Sequence, residues 1–352
     1  MTQYDFLRDL LQSPGVSSFE GLPAKVWRDQ ARAYGAEVET DAYGNSFARF
    51  GKGGSPRVML AGHVDEIGLL ITYVDDAGLL YFTGVGINEG SGLPGQRVRV
   101  VSEGNELPGV IGRKAPHLSG SDDRGKRVKL ESLWIDIGAR NKEDALKRVQ
   151  PGSFAVFEAP VIELGDNRWA SKAMDDRVGA FVALEAARRA SASGAKAEIV
   201  AAATTQEEIS GVGANVAAYR IEPDLAIALD LTHASDVPDV DKKSQGEIEL
   251  GKGPVLEVGA TVHQGLMQRL RECAEKEGVP YQRGFSGRRT ATDADDIAKV
   301  RSGAPTILVS VPNRYMHSPV EIVDLNDVEG AIKLLERFIV ELEGAGDLYP
   351  RD

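Results

Sequence analysis

The sequence predicts an α/β fold on a largely parallel sheet, interrupted by an all-β insertion, and three observations lead to it. Short, almost wholly apolar runs recur at residues 57–61, 198–203, 225–229 and 306–312. Such runs read as strands buried on both faces, which occur in parallel sheets covered by helices. Amphipathic helical patterns lie around them. Between Glu66 and about Asn167 the pattern changes to many short β-like runs separated by turns.

In chain order, residues 4–12 form an amphipathic helix with Phe6, Leu7, Leu10 and Leu11 on one side, ended by Ser13-Pro14-Gly15. Residues 23–34 form a second helix, stopped at Gly35. Residues 37–40 and 46–50 make a hairpin, and 57–61 is the next strand. In the insertion, strands are expected at 69–74, 79–83, 97–102, 109–112, 133–137 and 153–157, with turns such as Asp76-Ala77-Gly78 and one helix at 142–149. This composes a small barrel or sandwich. From Trp169 the α/β pattern returns. An apolar run from Val178 reads as a buried helix with Asp175 and Asp176 at its N-terminus, where carboxylates are favoured. Residues 261–277 form a helix stopped by Gly278. Residues 326–342 form the last helix, with Asn326 and Glu329 as a capping-box-like pair.

A chain of 352 residues with 42% hydrophobic content has room for two domains and a core. Its net charge of −12, without clustered Lys and Arg, argues against nucleic acid. The single cysteine, Cys273, excludes a disulfide framework and reads as a small core residue, so an intracellular, cytoplasmic protein is expected. The N-terminal residues lack a signal-peptide pattern, and no apolar run approaches membrane-spanning length, so no membrane association is expected.

Each buried run leads to an acid or a histidine: His63, Asp65 and Glu66; Glu207 and Glu208; Asp230; His317. In parallel sheets, sites form outside the carboxyl ends of the strands. With Asp175 these residues make a His, Asp and Glu set converging on one edge, which is the composition of a metal site. His63 and Asp65 are two apart and share a face if the strand persists; a carboxylate beside a metal-bound imidazole fixes its tautomer. Otherwise Asp65 caps a turn. Glu207 and Glu208 are adjacent, so two roles are natural: one binds metal while the other carries a proton. Asp230 binds a cation or caps a following turn. His233 is structural or lies beside the site, and His117 and His263 are structural. Mixed His and carboxylate ligands suit zinc, cobalt or manganese.

The combination of Gly62-His63-Val64-Asp65-Glu66-Ile67-Gly68, Lys172-Ala173-Met174-Asp175-Asp176-Arg177, Thr205-Gln206-Glu207-Glu208, Ala228-Leu229-Asp230 and Arg314-Tyr315-Met316-His317-Ser318-Pro319 resembles the dinuclear-metal aminopeptidases of the tetrahedral (TET) family over essentially the whole chain. That family includes glutamyl and deblocking aminopeptidases, and its members also carry the name cellulase M. The resemblance implies a three-layer αβα metallopeptidase domain in two pieces, 1–66 and 167–352, with residues 67–166 as an inserted, barrel-like oligomerisation domain. It implies homo-oligomers, with dimers assembling into tetrahedral dodecamers. It implies two divalent ions per subunit, zinc or cobalt foremost, acting on short peptides at their N-termini. Asp175 would bridge the ions, His63 and Asp230 would serve one, and Glu208 and His317 the other. Glu207 would be the general base acting on a bridging water, and Asp65 would orient His63. The bond between Asp175 and Asp176 would be cis.

One segment departs from the family. Where it carries Gly-Gly-Thr-Asp-Ala, this chain has Arg288-Arg289-Thr290-Ala291-Thr292-Asp293-Ala294. Asp293 is kept and counts with Arg288 and Arg289 as a candidate substrate contact; the arginines either favour an acidic P1 side chain or are solvated. Competing readings are an N-acyl amino-acid deacylase of the same di-metal architecture, a non-catalytic shell protein, and a β-glucanase, whose two-carboxylate chemistry gives His63 and His317 no role.

Overall fold

The computed structural model describes residues 3–87, 90–115 and 127–344; His117 lies outside them. Helices α1 (Gln3–Gln12) and α2 (Gly21–Ala33) precede the hairpin β1 (Glu37–Thr40) and β2 (Ser46–Phe50), then β3 (Arg57–His63). Next come β4 (Gly68–Val74), β5 (Leu80–Val85), β6 (Arg97–Ser102), β7 (Asn105–Arg113), β8 (Leu133–Asp136), α3 (Lys142–Leu146) and β9 (Phe154–Phe157). Then follow β10 (Ile162–Gly165), β11 (Arg168–Ser171), α4 (Met174–Ala192), β12 (Glu198–Thr204), α5 (Val212–Ile221), β13 (Leu225–His233) and α6 (Lys242–Gln245). The chain continues through β14 (Val255–Gly259), α7 (Gln264–Glu277), β15 (Gln282–Ser286), α8 (Asp293–Ile297), β16 (Thr306–Asn313), β17 (Glu321–Asp324) and α9 (Leu325–Val340).

The main sheet runs β1-β2-β12-β3-β13-β16-β14-β15. Its centre, β12, β3, β13 and β16, is mutually parallel. These strands are buried over nearly their whole length, as their unbroken apolar runs require. Helices complete a three-layer αβα arrangement. Helix α4 packs on β3, β12 and β13 and is covered by α1 and α9, while α5 and α8 pack together against the sheet. Val178, Phe181, Val182 and Leu184 of α4 are fully buried, each worth about 1.5–3 kcal/mol. Gly62 lets β3 approach α4: a Cβ there would lie 2.4 Å from the Ala180 nitrogen. That contact brings the end of β3 to the start of α4, where the site forms.

Between the two pieces of this domain, β4-β5-β8-β7-β6-β9 close a barrel. It has its own core, built from Leu69, Ile71, Leu80, Val98, Ile111 and Ile135 among others, separate from that of the main sheet. A small sheet, β10-β11-β17, flanks the main domain. No helix among the described residues is long and apolar enough to cross a membrane.

Several local expectations are corrected. Strand β13 does not end at Asp230 but runs to His233, because Asp230, Leu231, Thr232 and His233 pair in register with residues 310–313 of β16. Helix α7 starts at Gln264, with His263 as its cap: its Nδ1 accepts the Leu266 N–H at 3.2 Å. Helix α3 stops at Leu146. The Asn326–Glu329 capping box is absent. Asp324 caps α9 by accepting the Asn326 N–H, and Glu329 instead pairs with Arg189. Asp175 and Asp176 have non-helical backbone, so the regular part of α4 begins after them.

Candidate metal centre

Because β3, β12, β13 and β16 run parallel, their carboxyl ends share one edge of the sheet. His63 closes β3, Glu207 and Glu208 lie in the turn after β12, Asp230 is within β13, and His317 lies in the loop after β16. The start of α4 delivers Asp175 and Asp176, joined by a cis peptide bond.

These residues meet. His63 Nε2 is 3.4 Å from Asp175 Oδ1 and 3.7 Å from Glu207 Oε2. His317 Nε2 is 3.2 Å from Asp175 Oδ2 and 3.3 Å from Glu208 Oε2. Among the described residues, two groups bring ligand atoms within 4.8 Å of one another: His63, Asp175 and Glu208, and His63, Asp176 and Asp230. Asp65 lies behind His63, with Oδ1 3.3 Å from its Nδ1. Asp65 also accepts the Ser17 hydroxyl at 2.7 Å and the N–H groups of Glu207 and Glu208, each at 3.2 Å. Asp176 is fully buried, and its two oxygens accept the N–H groups of His63 at 3.1 Å and Gly179 at 2.9 Å.

The cluster holds more carboxylates than cations. Burial, together with the charges of Asp176 and Asp175, pushes Asp230 far above the usual carboxylate range. Asp176 is also raised, by burial and by Asp175 against the pull of His63. Glu207 is pushed up to about 8 by burial, opposed by His63 and supported by Asp293 and Glu208. Burial alone would raise Asp175, but His317 and His63 hold it below the usual range. His317 is raised to about 11 by Asp175 and Glu208. The nearby buried cations are already used: Lys172 Nζ lies 2.7 Å and Arg177 2.9 Å from Glu66. Asp175 Oδ1 and Glu208 Oε1 are buried without a hydrogen-bond donor. Donor atoms that converge, lack donors and repel one another fit a divalent cation, which would supply the missing positive charge.

The site opens into a cleft of about 770 Å³ lined by Asp175, Glu207, Glu208, Asp230, Arg288, Arg289 and His317, with His233 in its wall. Asp293 is not on the cleft surface. It is 1% exposed and accepts the Thr204 hydroxyl at 2.5 Å. Asp295 holds the 288–292 loop by accepting the N–H groups of Thr290 at 3.1 Å and Ala291 at 2.9 Å.

Sequence reasoning missed the layer behind the site. Asn45 Oδ1 accepts the Thr205 N–H at 3.0 Å, and Glu20 accepts that of Gln206 at 3.1 Å. With Asp65, these fix four successive N–H groups of the turn carrying Glu207 and Glu208. Glu321 accepts the N–H groups of Asp175 and His317. Only its position four residues after His317 hinted at it.

The model of the M42 glutamyl aminopeptidase family matches residues 44–334. The lysyl aminopeptidase of Pyrococcus furiosus is 36% identical over 348 residues, covering 97% of this chain and 98% of that protein. The TET aminopeptidase of the marine sediment archaeon Thaumarchaeota archaeon SCGC AB-539-E09 is 31% identical and superposes with a TM-score of 0.92, covering 97% of this chain and 96% of that one. The TET1 peptidase of Pyrococcus horikoshii, which can assemble into a tetrahedron or a large octahedral shell, is 34% identical with a TM-score of 0.85, covering 97% of this chain and 100% of that one.

Proposed function

The chain belongs to the M42 glutamyl aminopeptidase family, and from that premise we propose that this aminopeptidase works through two divalent ions, with Glu207 as general base, on the N-termini of short peptides. The observation that carries this reading is the placement of Asp175. Its two oxygens face different imidazoles, Oδ1 towards His63 and Oδ2 towards His317. A carboxylate so divided suits a bridging position, with His63 and Asp230 serving one ion and Glu208 and His317 the other. Zinc, cobalt and manganese all suit such ligands.

Divalent ions held there would polarise the scissile carbonyl and acidify the attacking water. Glu207 belongs to neither convergent ligand group and lines the cleft. Its carboxylate, 3.7 Å from the His63 Nε2 and outside both ligand groups, is placed to take a proton from the attacking water and return it to the leaving amine. Asp65 holds Nδ1 of His63, which leaves Nε2 for an ion. Arg288 and Arg289, in the cleft wall, would meet the substrate's first side chain, and Asp293 would act on the pocket through Glu207. We read residues 1–66 and 167–352 as the catalytic domain and 67–166 as the oligomerisation domain of a cytoplasmic homo-oligomer. The assembly of the P. horikoshii relative supports the oligomer.

Glu207→Gln tests the base. Its kcat on aminoacyl-p-nitroanilides is expected to fall by about 10²–10⁴-fold with metal content unchanged. Undiminished activity would remove Glu207 from the reaction. A parent protein silent on aminoacyl amides but cleaving acylated amino acids would move the assignment to a deacylase.

A further inference from the structure

Glu321, at the start of β17, is 2% exposed. Its Oε2 accepts the Asp175 N–H at 3.1 Å and its Oε1 accepts the His317 N–H at 2.8 Å. Among the described residues no Lys or Arg ion pair involves it. A buried carboxylate is costly to maintain unless its hydrogen bonds are made, so the two backbone donors are what its placement serves.

The topology puts it between the two chain segments that carry these donors. On one side β17 pairs with β11, Glu321 opposite Ser171, and β11 leads directly to Asp175. On the other side Arg314 and Ile322 exchange N–H···O bonds of 3.0 Å, closing the loop that holds His317. The His317 side chain is 47% exposed, so packing does not fix it. Its φ is +60° and that of Tyr315 is +63°, in the left-handed region that non-glycine residues disfavour. The bond from the His317 N–H to Glu321 opposes relaxation of that backbone.

We propose that Glu321 is a positioning residue whose single carboxylate binds the backbones of Asp175 and His317 together and thereby sets the separation of Asp175 Oδ2 and His317 Nε2. This rests on the two-ion reading above. Loss of the clamp frees the exposed histidine and weakens the ion served by Glu208 and His317, while the shared Asp175, only 7% exposed at the start of α4, stays held by packing, so the ion served by His63 and Asp230 keeps its ligands.

The test is equilibrium dialysis of the metal-stripped full chain against zinc, with cobalt absorption spectra as a second readout. The parent is expected to bind two ions. In Glu321→Gln one acceptor is replaced by an NH2 that opposes an N–H, and the second ion should bind about 10–100-fold more weakly, the first as in the parent. Val323→Ala, which thins the packing of the same strand, should keep both. If Glu321→Gln does not fold, Glu321→Asp replaces it: it keeps the charge but is too short to span both donors, and the second ion should again weaken. Parent-like affinity for both ions in a folded Glu321 variant overturns the proposal, as does equal loss in Val323→Ala. A parent that binds fewer than two ions overturns the two-ion reading itself, before any variant is compared.

Discussion

Asp65 shows how much one side chain contributes to the site: its two oxygens face His63 Nδ1, the Ser17 hydroxyl and two successive N–H groups of the turn that carries Glu207. At this scale the sequence was informative wherever an acid or histidine stood at the end of an apolar run, because placing such a group in a buried strand is costly without a partner. His63, Asp230 and Glu208 were legible for that reason. Glu321 was not, because it faces a backbone N–H 146 residues away, and a backbone donor leaves no mark on the sequence. Arg288 and Arg289 line the cleft, where a guanidinium can take an acidic substrate side chain. Replacing both with Ala should lower the ratio of glutamyl to leucyl p-nitroanilide hydrolysis by about tenfold, the worth of one charge-assisted hydrogen bond. An unchanged ratio would leave them as solvated surface arginines.

Elements with a continuous apolar run were readable to within a few residues; those defined by long-range pairing were not. Strands β10, β11 and β17 are each four residues long and exist only because they pair with one another. The extension of β13 past Asp230 is likewise set by its neighbour β16. Helix α9 shows a further connection of this kind. Asp327, in its first turn, accepts the N–H groups of Gly251 at 2.7 Å and Gly253 at 2.6 Å, tying the turn before β14 to the helix. Burial pushes Asp327 up to about 6, against those two bonds. The folded protein therefore holds this proton more tightly than the unfolded chain does. The group's contribution to stability is fully present below the ordinary carboxylate range and is lost as pH rises through about 6, on the order of 3 kcal/mol in all. Asp327→Asn removes the titration. The stability difference between the parent and this variant, from melts of metal-free protein between pH 4 and 7, should shrink as pH rises; a difference that is flat or widens contradicts the assignment.

At the scale of the whole molecule, the core of the main sheet and that of the barrel are joined close to the site. Glu66 lies between the end of β3 and the first barrel strand, held by Lys172 and Arg177. Arg177, directly after the paired aspartates, also donates to the carbonyls of Leu10, Ser13, Gly15 and Val64, so the N-terminal segment, the barrel entry and α4 meet at one guanidinium. The α/β class and the β insertion were legible as a change of hydrophobic period. The pattern alone left barrel and sandwich open, since closure depends on pairing between strands far apart in sequence; the family resemblance pointed to the barrel that is observed. The measurement that bears most directly on the two-ion site is the hydrolysis of aminoacyl-p-nitroanilides by metal-stripped protein titrated with zinc, cobalt or manganese. If Asp175 bridges two ions and Glu207 moves the proton, the stripped protein is inactive, activity rises with added ion and levels off at two per chain, and Glu207→Gln stays silent at every loading. Hydrolysis by the stripped protein at the level of the untreated enzyme, or silence with two ions bound, would contradict it.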